Sequence, residues 1–306
     1  MPKRLLDCTA SDFDRMVKKD LLFAIGASEG RVLAAETIGT VTPLLGDVTN
    51  AELAAALGAD ILLLNLFDVD QPHIQGLPPT EPGEVIRTVK RLTGRPVGIN
   101  LEPVEAGAGE VDTLWAMTKG RMATLENAQK AVQMGVNFIL LTGNPGTGVT
   151  NKAITDTLVL FHKHLGDQVV LCAGKMHASG VLGEGGENII TKADVKAFAD
   201  AGADLLLFPA PGTVPGITTE YVRGLVEYAH SLGKLTTTAI GTSQEGADVD
   251  TIRRIALECK MTGADVHHLG DSGYTGIAAP ENITAYSIVI KGVRHTYRRM
   301  GMSINR

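Results

Sequence analysis

The sequence predicts an α/β protein folded as a closed (β/α)8 TIM barrel with an extra N-terminal helix, and three observations carry that prediction. Eight short apolar runs begin near residues 31, 60, 96, 137, 168, 203, 234 and 264, roughly 30 residues apart, the length of a βαβ unit. A Gly-Ala-Asp phrase precedes some of them, at Gly58-Ala59-Asp60, Gly202-Ala203-Asp204 and Gly263-Ala264-Asp265, with Gly135-Val136-Asn137 as a variant. The stretches before these phrases (51–57, 125–134, 195–201 and 252–261) space their apolar residues as helices do, so each glycine reads as a helix C-cap that opens into a buried strand. Strands alternating with helices in this way pair in parallel within one sheet. An open doubly wound sheet would carry GxGxxG after its first strand, and the sequence has none there.

Taken in chain order, residues 11–25 read as one helix, capped by Thr9 or Ser11 and stopped by Gly26, that closes the barrel bottom. Strand one follows Arg31 and ends in Glu36; strand two, ILLLN, ends in Asn65; strand three, after Arg95-Pro96, reaches Asn100 and Glu102. Strand four reaches Thr142 and Asn144, and strand five, after Gln168, continues to Lys175 and His177. LLLFP and LTTTAIG are strands six and seven, and strand eight carries His267, His268 and then Asp271. Pro280 stands at a helix N1 position and opens a last helix through Tyr286 and Ile290 toward Arg298. The longest strand-to-helix connections, 67–83, 103–123 and 176–192, fall on the face where barrel enzymes keep their chemistry. No linker interrupts the pattern, so residues 1–306 read as a single barrel domain.

Composition removes several classes of partner. The 306 residues include 28 Lys and Arg against 34 Asp and Glu, a net charge of −6, so no global positive field exists to hold nucleic acid or an anionic membrane. No apolar run approaches the roughly 18–20 residues that cross a bilayer, and the opening MPKRLLDCTASDFDR lacks an apolar export segment. A cytoplasmic location is the expectation. Cys8, Cys172 and Cys259 are isolated, without CxxC spacing, which predicts neither a disulfide framework nor a cysteine zinc site. A homo-oligomer is an allowed state that the sequence does not decide.

Polar residues at strand ends are the functional candidates, because side chains there alternate between the barrel interior and its outside. Asn100 and Glu102 are two apart, as are Lys175 and His177, so each pair can share the cavity face. Glu36 lies on an otherwise apolar strand, where a carboxylate is costly unless a cation or metal meets it; an ion pair with Lys175 is the structural alternative. The expectation is that Glu36, Glu102, Lys175 and His177 converge as catalytic residues. The residues assign no cofactor outright, but Glu36, Glu102 and His177 are the ligands available to a divalent cation such as Mg or Mn. Asn65, Asn100, Thr142, Asn144, His267 and Asp271 are expected to bind substrate, with only one of the adjacent His267 and His268 able to face the interior.

Small residues in the last two loops, Gly241-Thr242-Ser243 and Gly270-Asp271-Ser272-Gly273, let backbone N–H groups approach an anion where barrels commonly hold phosphate. Gly241, Thr242, Ser243, Gly270, Ser272 and Gly273 are therefore the expected phosphate contacts. Asp271 would repel the anion and more plausibly orients a donor or binds a hydroxyl; ordinary tight turns are the alternative. Residues 143–148 offer a second glycine-rich cradle without the lysine of a P-loop, and residues 180–186 are glycine-rich enough to move as a lid. Phe67-Asp68-Val69-Asp70-Gln71 resembles the nucleophile loop of haloacid-dehalogenase phosphatases, but Pro72 stands where that family has Thr or Val, and the eight-unit pattern does not fit its fold.

RLLDCTASD (4–12), PLLGDVTNAELAAALGADILLLNLFDV (43–69), GRPVGINLEP (94–103) and GDSGYTGIAAPENI (270–283) resemble a family of bacterial (β/α)8-barrel proteins of unknown function. Its members are labelled phosphoenolpyruvate-phosphonomutase-like or haloacid-dehalogenase-like and often accompany sugar-uptake phosphotransferase systems. The resemblance spans nearly the whole chain but assigns no catalytic residue, and the Lys-Lys-Cys loop of the phosphonomutases is absent. It implies a barrel handling a small carbohydrate-derived compound, phosphorylated or not. Together these readings predict a lyase or isomerase that acts next to a carbonyl in a small phosphorylated metabolite, Lys175 stabilising an enolate or serving as a Schiff-base nucleophile. The rival is a catalytically silent sugar-phosphate-binding barrel with a regulatory role.

Overall fold

In the computed structural model, which describes residues 3–104, 117–143, 148–177, 183 and 185–306, the apolar runs form one closed parallel ring. Its strands are β1 (Val32–Ile38), β2 (Ile61–Asn65), β3 (Val97–Leu101), β4 (Phe138–Leu141), β5 (Val170–Gly174), β6 (Leu205–Pro209), β7 (Leu235–Ile240) and β8 (Val266–Leu269). They neighbour one another in chain order, and β8 returns to β1 from Val32↔Val266 to Ala35↔Leu269, which closes the barrel. Outside lie α3 (Asn50–Ala56), α4 (Val85–Thr93), α5 (Leu125–Met134), α6 (Asn151–Leu165), α7 (Lys192–Asp200), α8 (Thr219–Ser231), α9 (Val249–Met261) and α10 (Pro280–Met300). The side chains of Thr49, Thr124, Thr150, Thr191 and Thr218 cap α3, α5, α6, α7 and α8 by accepting a backbone N–H three residues on.

The single N-terminal helix expected from the sequence is two, α1 (Ala10–Arg15) and α2 (Lys18–Gly26), separated by extended backbone at Met16 and Val17. The break serves two packing targets. Phe13 lies beneath the Arg299 guanidinium, 5.5 Å from its ring centre, whereas Leu21 and Ile25 enter the barrel and line its lower interior with Ala34, Leu63 and Leu140.

Strand parity divides the core. Leu33, Leu62, Ile99, Leu171 and Leu206 face the helices, while Val32, Ala34, Ile61, Leu63 and Cys172 face inward. The inward series then becomes polar at the upper rim, at Glu36, Asn65, Asn100 and Thr142. Cys8, Cys172 and Cys259 are free, buried thiols, and no helix among the described residues is long and apolar enough to cross a membrane.

The repeated phrase has a structural task at the barrel bottom. Asp60, Asn137, Asp204 and Asp265, before even-numbered strands, accept the N–H of Leu33, Val97, Leu171 and Thr236 on the preceding strand at 2.8–3.1 Å. The backbone N–H of each donates back to the same strand. The three carboxylates also meet basic side chains: Asp60 contacts Lys291 at 2.5 Å and Arg299 at 2.8 Å, Asp204 contacts Lys18 at 2.6 Å, and Asp265 contacts the His230 ring at 2.9 Å. The glycines that begin the phrases, Gly58, Gly135, Gly202 and Gly263, have φ of 83–108°, the left-handed conformation that ends the helix before each.

Candidate functional site

At the C-terminal face the barrel opens into a cavity of about 280 Å³. Inward parity brings Glu36, Asn65, Asn100 and Thr142 to its wall from β1, β2, β3 and just beyond β4. His177 and Met176 enter after β5, and the loops after β7 and β8 supply Gly241, Ser243, Glu245, Asp271, Ser272 and Gly273. Among the described residues, four non-glycine positions have positive φ, and three of them, Leu66 (55°), Ser243 (74°) and Ser272 (56°), line this cavity. Each such conformation costs on the order of 1–3 kcal/mol and persists only where its surroundings enforce it, a pattern concentrated at functional sites. A Cβ at Gly241 would lie 2.0 Å from Met176 Sδ, so glycine there leaves Met176 its place on the wall.

The electrostatics centre on Glu36. His268 lies beneath the cavity with its Nε2 3.4 Å from Glu36 Oε2. Burial lowers the pKa of this imidazole, but the charge of Glu36, with smaller contributions from Asp271 and Glu245, raises it above the usual histidine value. Burial and the Glu36 charge push the Asp271 carboxyl up to about 7, against the lowering effect of its hydrogen bonds from Asn65 and Gly273. Glu245 is raised as well, chiefly by burial. Burial pushes His177 down to about 4, leaving a neutral imidazole on the cavity wall near neutral pH. The polar positions are held from below and behind: Asn65 Nδ2 donates to Asp271 Oδ2 at 2.7 Å, and Asn282 of α10 donates to the carbonyls of Glu245 and Ala247.

The structure separates the four expected catalytic residues. Glu36 and His177 share the cavity, but Glu102 and Lys175 are not on its wall. Glu102 has inward parity, yet β3 ends at Leu101 and backbone bonds between Glu102 and the 121–123 segment draw the chain aside. Its carboxylate pairs with Arg121 and lines a separate cavity of about 380 Å³ beside Met122 and Lys152. Lys175 is buried and continues the outward parity of Leu171 and Ala173. His177 reaches the cavity only because β5 has ended at Gly174. The proposed cation ligands Glu36, Glu102 and His177 are thus not brought together, and among the described residues no three carboxylate, imidazole or thiol groups gather as a metal-ligand set.

Of the expected substrate contacts, Asn65, Asn100, Thr142 and Asp271 line the cavity, and Asn144 lies outside the described residues, as does most of the 143–148 and 180–186 glycine-rich stretches. His267 faces the helices: its ring nitrogens contact Thr238 Oγ1 at 3.1 Å and the Gly30 carbonyl at 3.0 Å, and its ring packs near Tyr286. Its neighbour His268 takes the interior side. In the expected phosphate loops, Gly241, Ser243, Ser272 and Gly273 line the cavity. Thr242 turns away to donate to the Thr213 carbonyl at 3.0 Å, and Gly270 packs where a Cβ would meet the Ile240 carbonyl at 2.6 Å. Sequence reading missed Glu245 and the role of His268. The parity of VHHLG offered the second equally with His267, whereas Glu245 sits in a loop with no periodic signal.

The chain belongs to the DUF7916 family, described as a domain of unknown function, whose model matches residues 6–306. No curated protein matches it. An archaeal fructose 1,6-bisphosphate aldolase is similar in structure, with a TM-score of 0.53 at 12% identity over 86% of this chain and 95% of that one. A candidate lyase/mutase from Burkholderia cenocepacia J2315 aligns with a TM-score of 0.49 at 18% identity over 84% of each chain. Thiamine phosphate pyrophosphorylase from Pyrococcus furiosus aligns with a TM-score of 0.49 at 14% identity, over 87% of this chain and 98% of that one. The likeness is one of fold, and no named relative carries the phosphonomutase-like or dehalogenase-like label to this chain.

Proposed function

We propose that this barrel is a lyase or isomerase that acts next to a carbonyl in a small carbohydrate-derived substrate, with Glu36 as base and Asp271 as acid. The observation that supports it most is one cavity whose buried titratable groups are driven apart, Asp271 to about 7 and His177 to about 4, beside the Glu36 carboxylate. Groups separated in this way by their surroundings divide acid and base roles near neutral pH. Glu36 takes a proton from the carbon beside the carbonyl while Asp271 gives its proton to the carbonyl oxygen; Glu36 then returns its proton to the former carbonyl carbon as Asp271 takes the hydroxyl proton of the adjacent carbon, which becomes the new carbonyl and completes an isomerisation. In the lyase direction Glu36 takes a hydroxyl proton, the adjacent carbon–carbon bond breaks, and its electron pair moves to the carbonyl oxygen, which Asp271 protonates. Neutral His177 donates a hydrogen bond to that oxygen, His268 holds Glu36 from beneath, and Asn65 orients Asp271. No step passes through Lys175 or a bound cation, because Lys175 is not on the wall and the three expected ligands do not meet.

The test is solvent exchange. Aldoses, ketoses, 2-keto acids and their phosphate esters are incubated with the protein in D2O, and loss of the proton beside the carbonyl is followed by NMR. Exchange or cleavage by wild type that disappears in Asp271→Asn and Glu36→Gln supports the reading. Compounds that bind yet neither exchange nor cleave would leave the barrel as a binding protein.

A further inference from the structure

The sequence places a phosphate at the loops after β7 and β8, and there the protein has put carboxylates of its own. The N–H of Ser272 donates to Glu245 Oε1 at 3.0 Å, and the N–H of Gly273 donates to Asp271 Oδ1 at 2.8 Å. These are the donors a phosphate would take at this end of a barrel. Of the two hydroxyls in the loop after β7, that of Thr242 is directed at the Thr213 carbonyl, and that of Ser243 stays on the cavity wall. A phosphate here would also face Glu36, and among the described residues no lysine or arginine lines the cavity.

The buried side-chain atoms of the cavity residues that remain unmet are acceptors or hydroxyls. Asn100 Oδ1, Thr142 Oγ1, Glu245 Oε2 and Ser272 Oγ are buried with no hydrogen-bond partner among the described residues; Asn100, Thr142 and Glu245 are 3–4% exposed. Buried polar atoms of this kind are met in native structures by a ligand or water. In the ring order β3 and β4 lie opposite β7 and β8, so the waiting atoms stand on both sides of the mouth. A ligand that satisfies them carries O–H donors at both ends.

We propose that the cavity selects an uncharged polyhydroxylated carbonyl compound, a free aldose or ketose, over its phosphate ester, with the Glu245 carboxylate as the specificity-determining group. The inference rests on reading this cavity as the substrate site and replaces the phosphorylated end expected from the sequence with a hydroxylated one. Glu245, by holding the Ser272 N–H, both removes a phosphate donor and presents its remaining oxygen to a sugar hydroxyl.

The test uses binding rather than turnover. Calorimetry measures the affinity of wild type and Glu245→Gln for inorganic phosphate and for a panel of aldoses and ketoses, each paired with its phosphate ester and its amino derivative. The expected result is a free sugar bound at least about 10-fold more tightly than its ester, a difference of about 1.4 kcal/mol, and no response to inorganic phosphate. In Glu245→Gln the amide oxygen can still accept from Ser272, and the preference narrows by about 10-fold as the repelling charge is lost. An ester or inorganic phosphate that binds more tightly than any free sugar overturns the proposal, as does binding by no free sugar, and a tighter amino derivative reassigns the carboxylates to a cation. If Glu245→Gln fails to fold, the sugar-to-ester ratio on wild type decides alone. A sugar that binds without proton exchange counts against the acid–base reading and leaves this inference standing; exchange confined to tightly bound esters does the reverse.

Discussion

At the bottom of the barrel Asp60 is fully buried between Lys291 at 2.5 Å and Arg299 at 2.8 Å, with the Leu33 N–H on one of its oxygens. At the top Asp271 is nearly as buried, but the groups around it are the Asn65 amide, the Gly273 N–H and the carboxylates of Glu36 and Glu245. Burial alone would raise both carboxyls. At Asp60 the two cations overcome it and hold the group below the usual range, whereas at Asp271 a like charge adds to it. The same residue type is therefore a permanently charged tie at one end and a proton carrier near neutral pH at the other. The lower tie joins the first strands to α10 and, through Arg299 and the carbonyls of Leu5 and Cys8, to the N-terminal segment. The upper group sits in a cavity beside strained backbone.

This contrast is breakable by substitution. Asp60→Ala leaves Lys291 and Arg299 buried without their counter-ion and is expected to cost about 3–5 kcal/mol of unfolding free energy, measured in urea. A loss under about 1 kcal/mol would mean that the carbonyls around the two cations suffice to hold them.

The next largest effect is a difference in pH dependence. The folded pKa of Asp271 lies above its unfolded value, so its stabilising contribution is complete below about pH 4 and is lost as pH rises through about 7. Across that window the loss is up to roughly 4 kcal/mol. Asp60 runs the other way: its folded pKa is lowered, so its contribution is present above the unfolded value and is lost as pH falls through the folded one. Unfolding curves of wild type and Asp271→Asn should therefore diverge between about pH 4 and pH 8, the variant gaining relative stability as pH rises. Parallel curves would remove the distinction.

Loss of function without loss of stability is the third expectation. Once a substrate is in hand, Asp271→Asn should lower turnover on the order of 100-fold or more while unfolding at pH 8 no more easily than wild type. The smallest effect is expected at Asp204, whose Lys18 partner is less deeply buried than Lys291. Asp204→Asn keeps an acceptor for the Leu171 N–H and should cost about 1 kcal/mol, readable as a small shift in thermal unfolding.

The parts of the molecule legible in the sequence are those governed by repeating local rules. The Gly-Ala-Asp phrase marks a left-handed helix end, a strand start and an interstrand clamp within three residues, so the barrel follows from its recurrence. Parity carried Glu36, Asn65 and Asn100 to the correct face because each lies on a strand. Past the strand ends it holds only in part: Thr142 stays on the cavity face and Lys175 on the outward one, but Glu102 is turned aside by the 121–123 segment and His177 lines the cavity although it shares the parity of Lys175. Glu245 had no signal at all, because what positions it, the N–H of Ser272 and the amide of Asn282, lies 27 and 37 residues away in sequence. The break in the N-terminal helix was hidden for the same reason, since Phe13 answers to Arg299 and Leu21 to the barrel interior.

The most direct test of the central claim, that the upper end holds a carboxyl poised to exchange a proton near neutral pH, is an NMR titration of aspartate carboxyl carbons, with Asp271→Asn used to assign the signal. The expected midpoint for Asp271 is about 7, falling in Glu36→Gln as the like charge is removed. A midpoint near the ordinary aspartate value of about 4, unchanged in Glu36→Gln, would contradict it.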